Sequence, residues 1–191
     1  MKVVLAMYNE LIIMGTPNVG KSTLINELKK DSRYYIPKHV TNRAERSDDA
    51  GFYAYKETSY FFSNDMYIKA NDDSGIYYGV AKKHLNIRGN QILVLNSSLK
   101  KLKEYSKKYK NKFVCIITSR NPVNKIKEAT YKYIPTDMEY RIAEMEKELK
   151  ILDRYCDFSA NRIYYIEDFS SISEMVQKVK NDLNNYYFEG N

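Results

Sequence analysis

The stretch GTPNVGKSTL, from Gly15 to Leu24, matches the pattern G-x-x-x-x-G-K-S. An apolar run, LIIMG, leads into it, and the helical pattern KSTLINELKK continues from it. A strand, a glycine-containing turn and a helix in that order let backbone N–H groups and the positive end of the helix converge on phosphate oxygens. We therefore predict a phosphate-binding loop for a nucleoside triphosphate, formed by Gly15, Thr16, Pro17, Asn18, Val19, Gly20, Lys21, Ser22 and Thr23.

Two side chains of this loop have chemical roles in the prediction. Lys21 would neutralise the outer phosphates, which makes it a candidate catalytic residue. The hydroxyl of Ser22 would be a ligand for Mg²⁺, a cation that prefers oxygen ligands and usually binds together with substrate phosphates. The loop thus implies a nucleoside triphosphate and Mg²⁺ as the cofactors.

The composition is typical of one globular domain. The chain has 191 residues, of which 43% are hydrophobic and 29% charged, and no apolar run approaches the ~20 residues that cross a bilayer. The opening MKVVLAMYNELIIMG lacks the apolar core and cleavage site of a signal peptide. Cys115 and Cys156 have no metal-binding spacing and are expected to be reduced thiols. We therefore expect a cytoplasmic protein with no membrane partner.

The net charge of +7 suits an anionic partner. The sequence contains no recognisable RNA- or DNA-binding motif, so a nucleic-acid partner is not expected. A small phosphorylated molecule satisfies the charge balance equally well.

Apolar runs and helical stripes alternate along the chain, which predicts an α/β fold with a largely parallel sheet. The predicted core strands after LIIMG are YYIPKHVT, QILVLN, KFVCIITS and RIYYIEDF, and helices are predicted to begin at Thr136 and Ser171. Residues 52–80 are instead aromatic and β-branched, with turn residues between short runs, which indicates a small antiparallel insertion. We predict a single domain with a core of residues 1–38 and 81–191 and an insertion of about 39–80.

The lettering PNVGKSTL resembles the first nucleotide-binding motif of small ribosome-assembly GTPases. A GTPase also needs a D-x-x-G that follows a strand and an N-K-x-D that reads guanine. Asp48–Gly51 reads DDAG but follows a polar run, and Asn124–Lys127 reads NKIK, with lysine where the base-reading carboxylate should stand. These two departures argue against a small GTPase, which remains an alternative.

Two later stretches resemble a different family. TNRAERSDDAGFYAY, Thr41 to Tyr55, resembles the guanylate kinase signature, and YIKANDDSGIYYGV, Tyr67 to Val80, resembles the segment ending in Y-Y-G that closes the acceptor site of that family. The chain is thus similar to guanylate kinase-like members of the P-loop nucleoside monophosphate kinases. The resemblance implies a P-loop kinase core with a parallel sheet flanked by helices, an antiparallel acceptor-binding insertion, and a lid at about 119–141.

The resemblance also implies an activity: transfer of the γ-phosphoryl of ATP, with Mg²⁺, to a phosphorylated acceptor, nominally GMP, by a monomer or homodimer. It assigns the acceptor phosphate to Arg43 and Arg46 together with Tyr53 and Tyr78. The spacing leaves Tyr55 as an alternative to Tyr53. Arg141 matches a lid arginine of the family, and Arg120 is a second candidate for a catalytic cation in the lid.

The positions that read guanine in that family are changed in this chain. His39, Lys69 and Asn96 stand where the family has a hydroxyl residue, a glutamate and an aspartate, and Val80 follows the Y-Y-G. The guanine N1–H and N2 amino groups are donors, and a lysine offers only donors. Asn96 also removes a carboxylate that would help to order Mg²⁺.

The related ribose 1,5-bisphosphate phosphokinase family also has YYGV and an asparagine at the position of Asn96. Its acceptor is a sugar phosphate without a base. With such an acceptor, His39 and Lys69 are predicted to contact anionic or hydroxyl groups. We keep this acceptor as an alternative to GMP.

Overall fold

A computed structural model of the chain describes residues 9–45, 51–71, 75–103, 112–128, 135–155 and 161–189. The strands are β1 (Glu10–Gly15), β2 (Tyr34–Tyr35), β3 (His39–Thr41), β4 (Tyr53–Tyr55), β5 (Met66–Asn71), β6 (Tyr77–Ala81), β7 (Ile92–Asn96), β8 (Lys112–Thr118) and β9 (Asn161–Tyr165). The helices are α1 (Lys21–Leu28), α2 (Tyr60–Ser63), α3 (Pro122–Glu128), α4 (Pro135–Tyr155) and α5 (Ile172–Asn184).

The main sheet has five strands in the order β2-β7-β1-β8-β9, and every pair in it is parallel. β1 lies in the centre, and its residues from Glu10 to Met14 are all buried. One face packs against α1 and α5, and the other packs against α4 and the inner side of the second sheet. The predicted α/β class with a parallel sheet flanked by helices is confirmed.

The second sheet is small and has the order β4-β3-β6-β5. β6 pairs antiparallel with β3 and β5, but β3 and β4 are parallel, so the sheet is mixed where the sequence predicted an antiparallel one. The parallel register of His39–Thr41 with Tyr53–Tyr55 accounts for the difference. The run that follows β4 includes α2, whose Phe61 is buried.

The prediction of one strand over YYIPKHVT is wrong, because the run is divided between two sheets. Tyr34 and Tyr35 pair with β7 in the main sheet, whereas His39, Val40 and Thr41 belong to the second sheet. Pro37 lies between the two pieces and has no N–H to donate to a ladder. The chain therefore leaves the main sheet at this proline.

The predicted start of the last helix is confirmed. The Ser171 hydroxyl accepts a hydrogen bond from the Glu174 N–H, at 3.1 Å. No helix among the described residues combines the length and the hydrophobicity that spanning a bilayer requires.

Gly79, the glycine of the Y-Y-G segment, is required by a close approach of two strands. A Cβ at this position would lie 2.5 Å from the carbonyl oxygen of Ile68 on β5, which is shorter than any van der Waals contact. On either side of it, Tyr78 and Val80 keep the β6 ladder in register.

We predict that Gly79→Ala lowers the free energy of unfolding by about 2 kcal/mol or more, because the backbone of β5 must shift to admit the methyl group. Denaturant unfolding measures the change. Gly89→Ala is the matched control: its Cβ meets nothing within 4 Å, and only its positive φ of +54° opposes the substitution, at about 1 kcal/mol. Equal losses for both variants would contradict the strand contact as the cause.

Candidate active site

The phosphate-binding loop lies between β1 and α1, as the sequence predicted. Gly15 has φ +143°, and a Cβ there would lie 1.7 Å from the carbonyl oxygen of Ile117 on β8. Only glycine fits so close to the neighbouring strand. Gly20, with φ +90°, caps α1 directly before Lys21. The tight turn thus ends on the N-terminus of a helix, where phosphate groups bind favourably.

Two contacts anchor this loop to β8 and to α3. The Thr16 hydroxyl lies 3.4 Å from the Thr118 hydroxyl at the end of β8. Asn18, with a left-handed φ of 57°, donates its side-chain amide to the carbonyl of Lys125 at 3.0 Å. Lys125 belongs to NKIK, and the structure places these residues on α3. This position on a helix differs from the base-reading loop that an N-K-x-D motif forms.

The Lys21 ammonium folds back onto its own loop. It donates to the Gly15 carbonyl at 2.9 Å and makes a second, short hydrogen bond to the Thr16 carbonyl. Burial lowers the pKa of Lys21 to about 8, and the nearby Glu148 carboxylate partly opposes this shift. A cation in such a site gains more from a phosphate group than an exposed lysine does.

The first turn of α1 fits the predicted Mg²⁺ ligand. Ser22 and Thr23 are exposed, so the Ser22 hydroxyl is open to a cation bound with a nucleotide. Within the described ranges, no group of three or more His, Cys, Asp or Glu side chains is arranged to hold a metal ion. This donor set suits Mg²⁺ bound mainly through phosphates and water.

A cavity of about 240 Å³ opens beside the phosphate-binding loop. It lies between the carboxyl ends of β1 and β7, the inner face of the second sheet, and α4. The cavity brings together these residues that the sequence singled out: Gly15, Pro17, Lys21, His39, Arg43, Tyr53, Tyr78 and Asn96.

Arg43, Tyr53 and Tyr78 form a polar group on the second-sheet side of the cavity. The Arg43 side chain is buried, its guanidinium carbon lies 4.9 Å from the centre of the Tyr53 ring, and it donates to the Ala44 carbonyl at 2.8 Å. The Tyr53 and Tyr78 rings meet edge to face, 6.1 Å apart. Tyr53 rather than Tyr55 faces the cavity. A guanidinium and two phenols in one wall suit a phosphate group.

His39 faces the cavity, but its ring nitrogens are already used. Nδ1 lies 3.0 Å from the Pro37 carbonyl, and Nε2 lies 3.2 Å from the Asn96 N–H, so the neutral ring donates from Nδ1 and accepts at Nε2. Burial lowers the pKa of His39 to about 4. The ring therefore connects β3 to the end of β7, and both of its nitrogens are occupied by backbone groups.

Lys69 does not reach the cavity, which corrects the placement that the sequence predicted. Successive residues of a strand point to opposite faces, and Ile68 and Ala70 line the cavity. The exposed Lys69 ammonium lies on the other face, 4.6 Å from the centre of the Phe62 ring. Lys69 is thus excluded from the site because side chains alternate between the two faces of β5, and Ile68 and Ala70 occupy the cavity face.

Arg120 is also placed differently from its predicted catalytic role. Its guanidinium forms an ion pair of 2.6 Å with Asp168 and lies 4.6 Å from the centre of the Tyr165 ring, and it does not line the cavity. Two other predicted cations are not placed by the structure. Arg46 lies outside the described residues, and the side chain of Arg141 in α4 is not described.

The sequence interpretation missed the wall that α4 contributes. Glu144 and Glu148 line the same cavity as Arg43. Glu144 pairs with Lys100 at 2.9 Å, and the Ser98 hydroxyl donates to Glu148 at 2.6 Å. Burial raises the pKa of Glu148. The i, i+4 spacing of the two glutamates beside an apolar stripe was the signal that could have revealed this wall.

The parallel sheet, the loop and the adjoining cavity define the chain as a nucleotide-binding P-loop protein with a kinase-like fold. Its structure is similar to that of guanylate kinase from Anaplasma phagocytophilum, with a TM-score of 0.63 and 14% identity over 95% of this chain and 87% of the other. It is also similar to a sulfotransferase from Alicyclobacillus acidocaldarius, with a TM-score of 0.54 and 17% identity over 95% of this chain and 81% of the other.

The family follows from the sequence. The family model described as 50S ribosome-binding GTPase matches residues 10–138, more than half of the chain, and the chain belongs to that family. A search of curated proteins found no match. The match begins at β1 and includes the whole phosphate-binding loop.

We predict that His39 makes the protein less stable in acid. The pKa of His39 is about 4 in the folded chain and about 6.5 in an unfolded one, so the unfolded state binds a proton first as the pH falls. Stability from the neutral ring is present above pH ~6.5 and is lost down to pH ~4, by about 3 kcal/mol in all.

Urea unfolding at a series of pH values measures this loss. His39→Gln removes the titrating group, so its stability changes less between pH 6.5 and 4 than that of the wild type. His84→Gln is the control, because His84 is the other histidine of the two in the chain. A His39→Gln variant with the wild-type pH dependence would falsify this assignment.

Proposed function

We propose that the protein is an ATP-dependent phosphotransferase that moves the γ-phosphoryl of ATP to a phosphorylated acceptor, with GMP as the nominal acceptor. The observation that carries the proposal is the shared cavity of Lys21 and Arg43. One cation belongs to the phosphate-binding loop, and the other belongs to a wall that faces it. A donor phosphate and an acceptor phosphate held by these two groups would meet inside one cavity.

In this proposal one group of residues binds the phosphates of ATP and a second group positions the acceptor. Lys21 leaves its loop carbonyls to contact the outer phosphates, and the N-terminus of α1 receives the same charge. Arg43, Tyr53 and Tyr78 orient the acceptor so that its oxygen faces the γ-phosphorus. Ser22 would hold Mg²⁺, which neutralises phosphate charge when it is bound with ATP. Phosphoryl transfer needs little more than this positioning and neutralisation.

A sugar phosphate is a second candidate acceptor, and the state of the base-reading positions supports it. The His39 nitrogens are bonded to backbone groups, and Lys69 lies on the outer face of the second sheet. The remaining polar groups of the cavity include Asn96, Ser97 and Ser98. Amide and hydroxyl groups of this kind match sugar hydroxyls, which both donate and accept hydrogen bonds.

Hydrolysis of GTP is a third candidate, which the family model favours. Such an activity uses water as the acceptor and needs no second phosphate site. It therefore predicts turnover of GTP alone, without any change when an acceptor is added.

Two assays separate these candidates. Release of ADP from ATP is compared with GMP, the other nucleoside monophosphates and ribose 1,5-bisphosphate as acceptors, and release of phosphate from GTP alone is measured in parallel. We expect ADP release that depends on a phosphorylated acceptor. Fast turnover of GTP without an acceptor would replace the proposal by a GTPase, and efficient use of GMP would show that guanine is read by groups other than His39 and Lys69.

We predict that Arg43→Ala lowers kcat/KM for the preferred acceptor by at least about a hundredfold, because charge-assisted hydrogen bonds contribute roughly 1.5–3 kcal/mol each. ATP affinity, measured by calorimetry, should stay within about twofold. Lys69→Ala is the matched control: it also removes a cation from the second sheet, but on the face away from the cavity, so transfer should not change. Equal losses in the two variants would place the acceptor elsewhere.

A further inference from the structure

Glu148 places a carboxylate beside the phosphate-binding loop, where negatively charged phosphates are expected to bind. It lies in the same cavity as the phosphate-loop lysine, and its charge acts on Lys21. One oxygen accepts the 2.6 Å hydrogen bond from Ser98, and no other hydrogen bond to Glu148 comes from the described part of the chain. A negative charge here would face the most negative part of a bound nucleotide.

The neighbouring Glu144 differs from Glu148 because it forms an ion pair. Glu144 is paired with Lys100 at 2.9 Å, so its charge is balanced locally. Lys21 and Lys100 both act on the Glu148 carboxylate, but Lys100 is shared with Glu144, and Lys21 must turn to the phosphates when a nucleotide binds. Nucleotide binding therefore takes part of the balancing charge away from Glu148 and adds several negative charges beside it.

A divalent cation bound between the Glu148 carboxylate and the phosphates would remove the repulsion between them. Asn96 supplies no charge at the end of β7, so a cation bound with the nucleotide gains no carboxylate from that position. Ser98 holds the Glu148 carboxylate two residues after Asn96, on the same side of the cavity. Carboxylates near a bound Mg²⁺ orient its water ligands and raise its affinity.

We propose that Glu148 makes nucleotide binding depend on a divalent cation, by attracting the Mg²⁺ of the Mg²⁺–ATP complex and repelling ATP without it. Glu148 is thus a positioning residue that acts through the cation and its water. The inference rests on the proposed binding of Mg²⁺–ATP, and it is independent of which acceptor the protein uses.

The test is the ratio of the ATP dissociation constants without and with Mg²⁺, measured by calorimetry on the full chain with EDTA or with excess Mg²⁺. Glu148→Gln keeps the size of the side chain and can still accept from Ser98, but it carries no charge. We expect the ratio to fall by about tenfold, the lower end of the effect of groups around a metal. Binding with Mg²⁺ weakens, and binding in EDTA is unchanged or tighter.

Glu146→Gln is the matched control, since Glu146 is exposed on the same helix. It removes the same charge from α4 and should keep the wild-type ratio. A merely structural role for Glu148 would weaken binding equally in both conditions, and that result overturns the inference. An unchanged ratio in a Glu148→Gln variant that melts as the wild type does also overturns it.

Glu148→Ala takes the place of Glu148→Gln if the latter fails to fold. It also removes the charge, so the ratio should again fall by about tenfold. A ratio equal to the wild-type value in Glu148→Ala overturns the inference. ATP binding with a Glu148-dependent ratio, but without transfer to any acceptor, refutes the proposed kinase and supports this inference. Failure of the wild type to bind ATP at all overturns both.

Discussion

The parallel pairing of β1 with β7 on one side and β8 on the other is the constraint on which the site depends. Ile13 is level with Asn96 in one ladder and with Cys115 in the other, so the three strands end at one edge of the sheet. Gly15 then passes so close to Ile117 that no side chain fits between them. The loop, the residues after β7 and the end of β8 are therefore brought together by the backbone, before any side chain contributes.

The second sheet and α4 cover this edge and leave a cavity beside the loop, and His39 connects the second sheet to the end of β7. Its buried ring accepts the Asn96 N–H at the end of β7 while it stacks on Phe52 at 4.6 Å. Because both ring nitrogens bond to backbone groups, His39 holds the second sheet against the end of β7. Matching a family position therefore fixes neither the chemistry nor the placement of a residue: the nitrogens of His39 are already bonded, and Lys69 lies outside the cavity.

The parts of the molecule that could be predicted from sequence are those set by local pattern. The phosphate-binding loop and the parallel core follow from a short motif and apolar runs, and the resemblance to guanylate kinases implied that Arg43 and Tyr53 lie together, as they do. The division at Pro37 and the outward direction of Lys69 depend on which sheet each strand joins and in which register, which a single sequence does not specify. Glu148 was missed because its importance arises from residues far away in sequence, Lys21 and Ser98.

Family membership and the kinase-like fold rest on overlapping parts of the same site. The family model covers residues 10–138, so it includes both the phosphate-binding loop and the second-sheet residues of the cavity, and it stops before Glu144 and Glu148 on α4. Hydrolysis needs only space for one water beside the γ-phosphate. A cavity of about 240 Å³ that holds a buried arginine, two tyrosines and a wall of glutamates encloses far more than one water. The residues that line the cavity beyond the loop therefore determine which molecules fit beside a nucleotide bound at the loop.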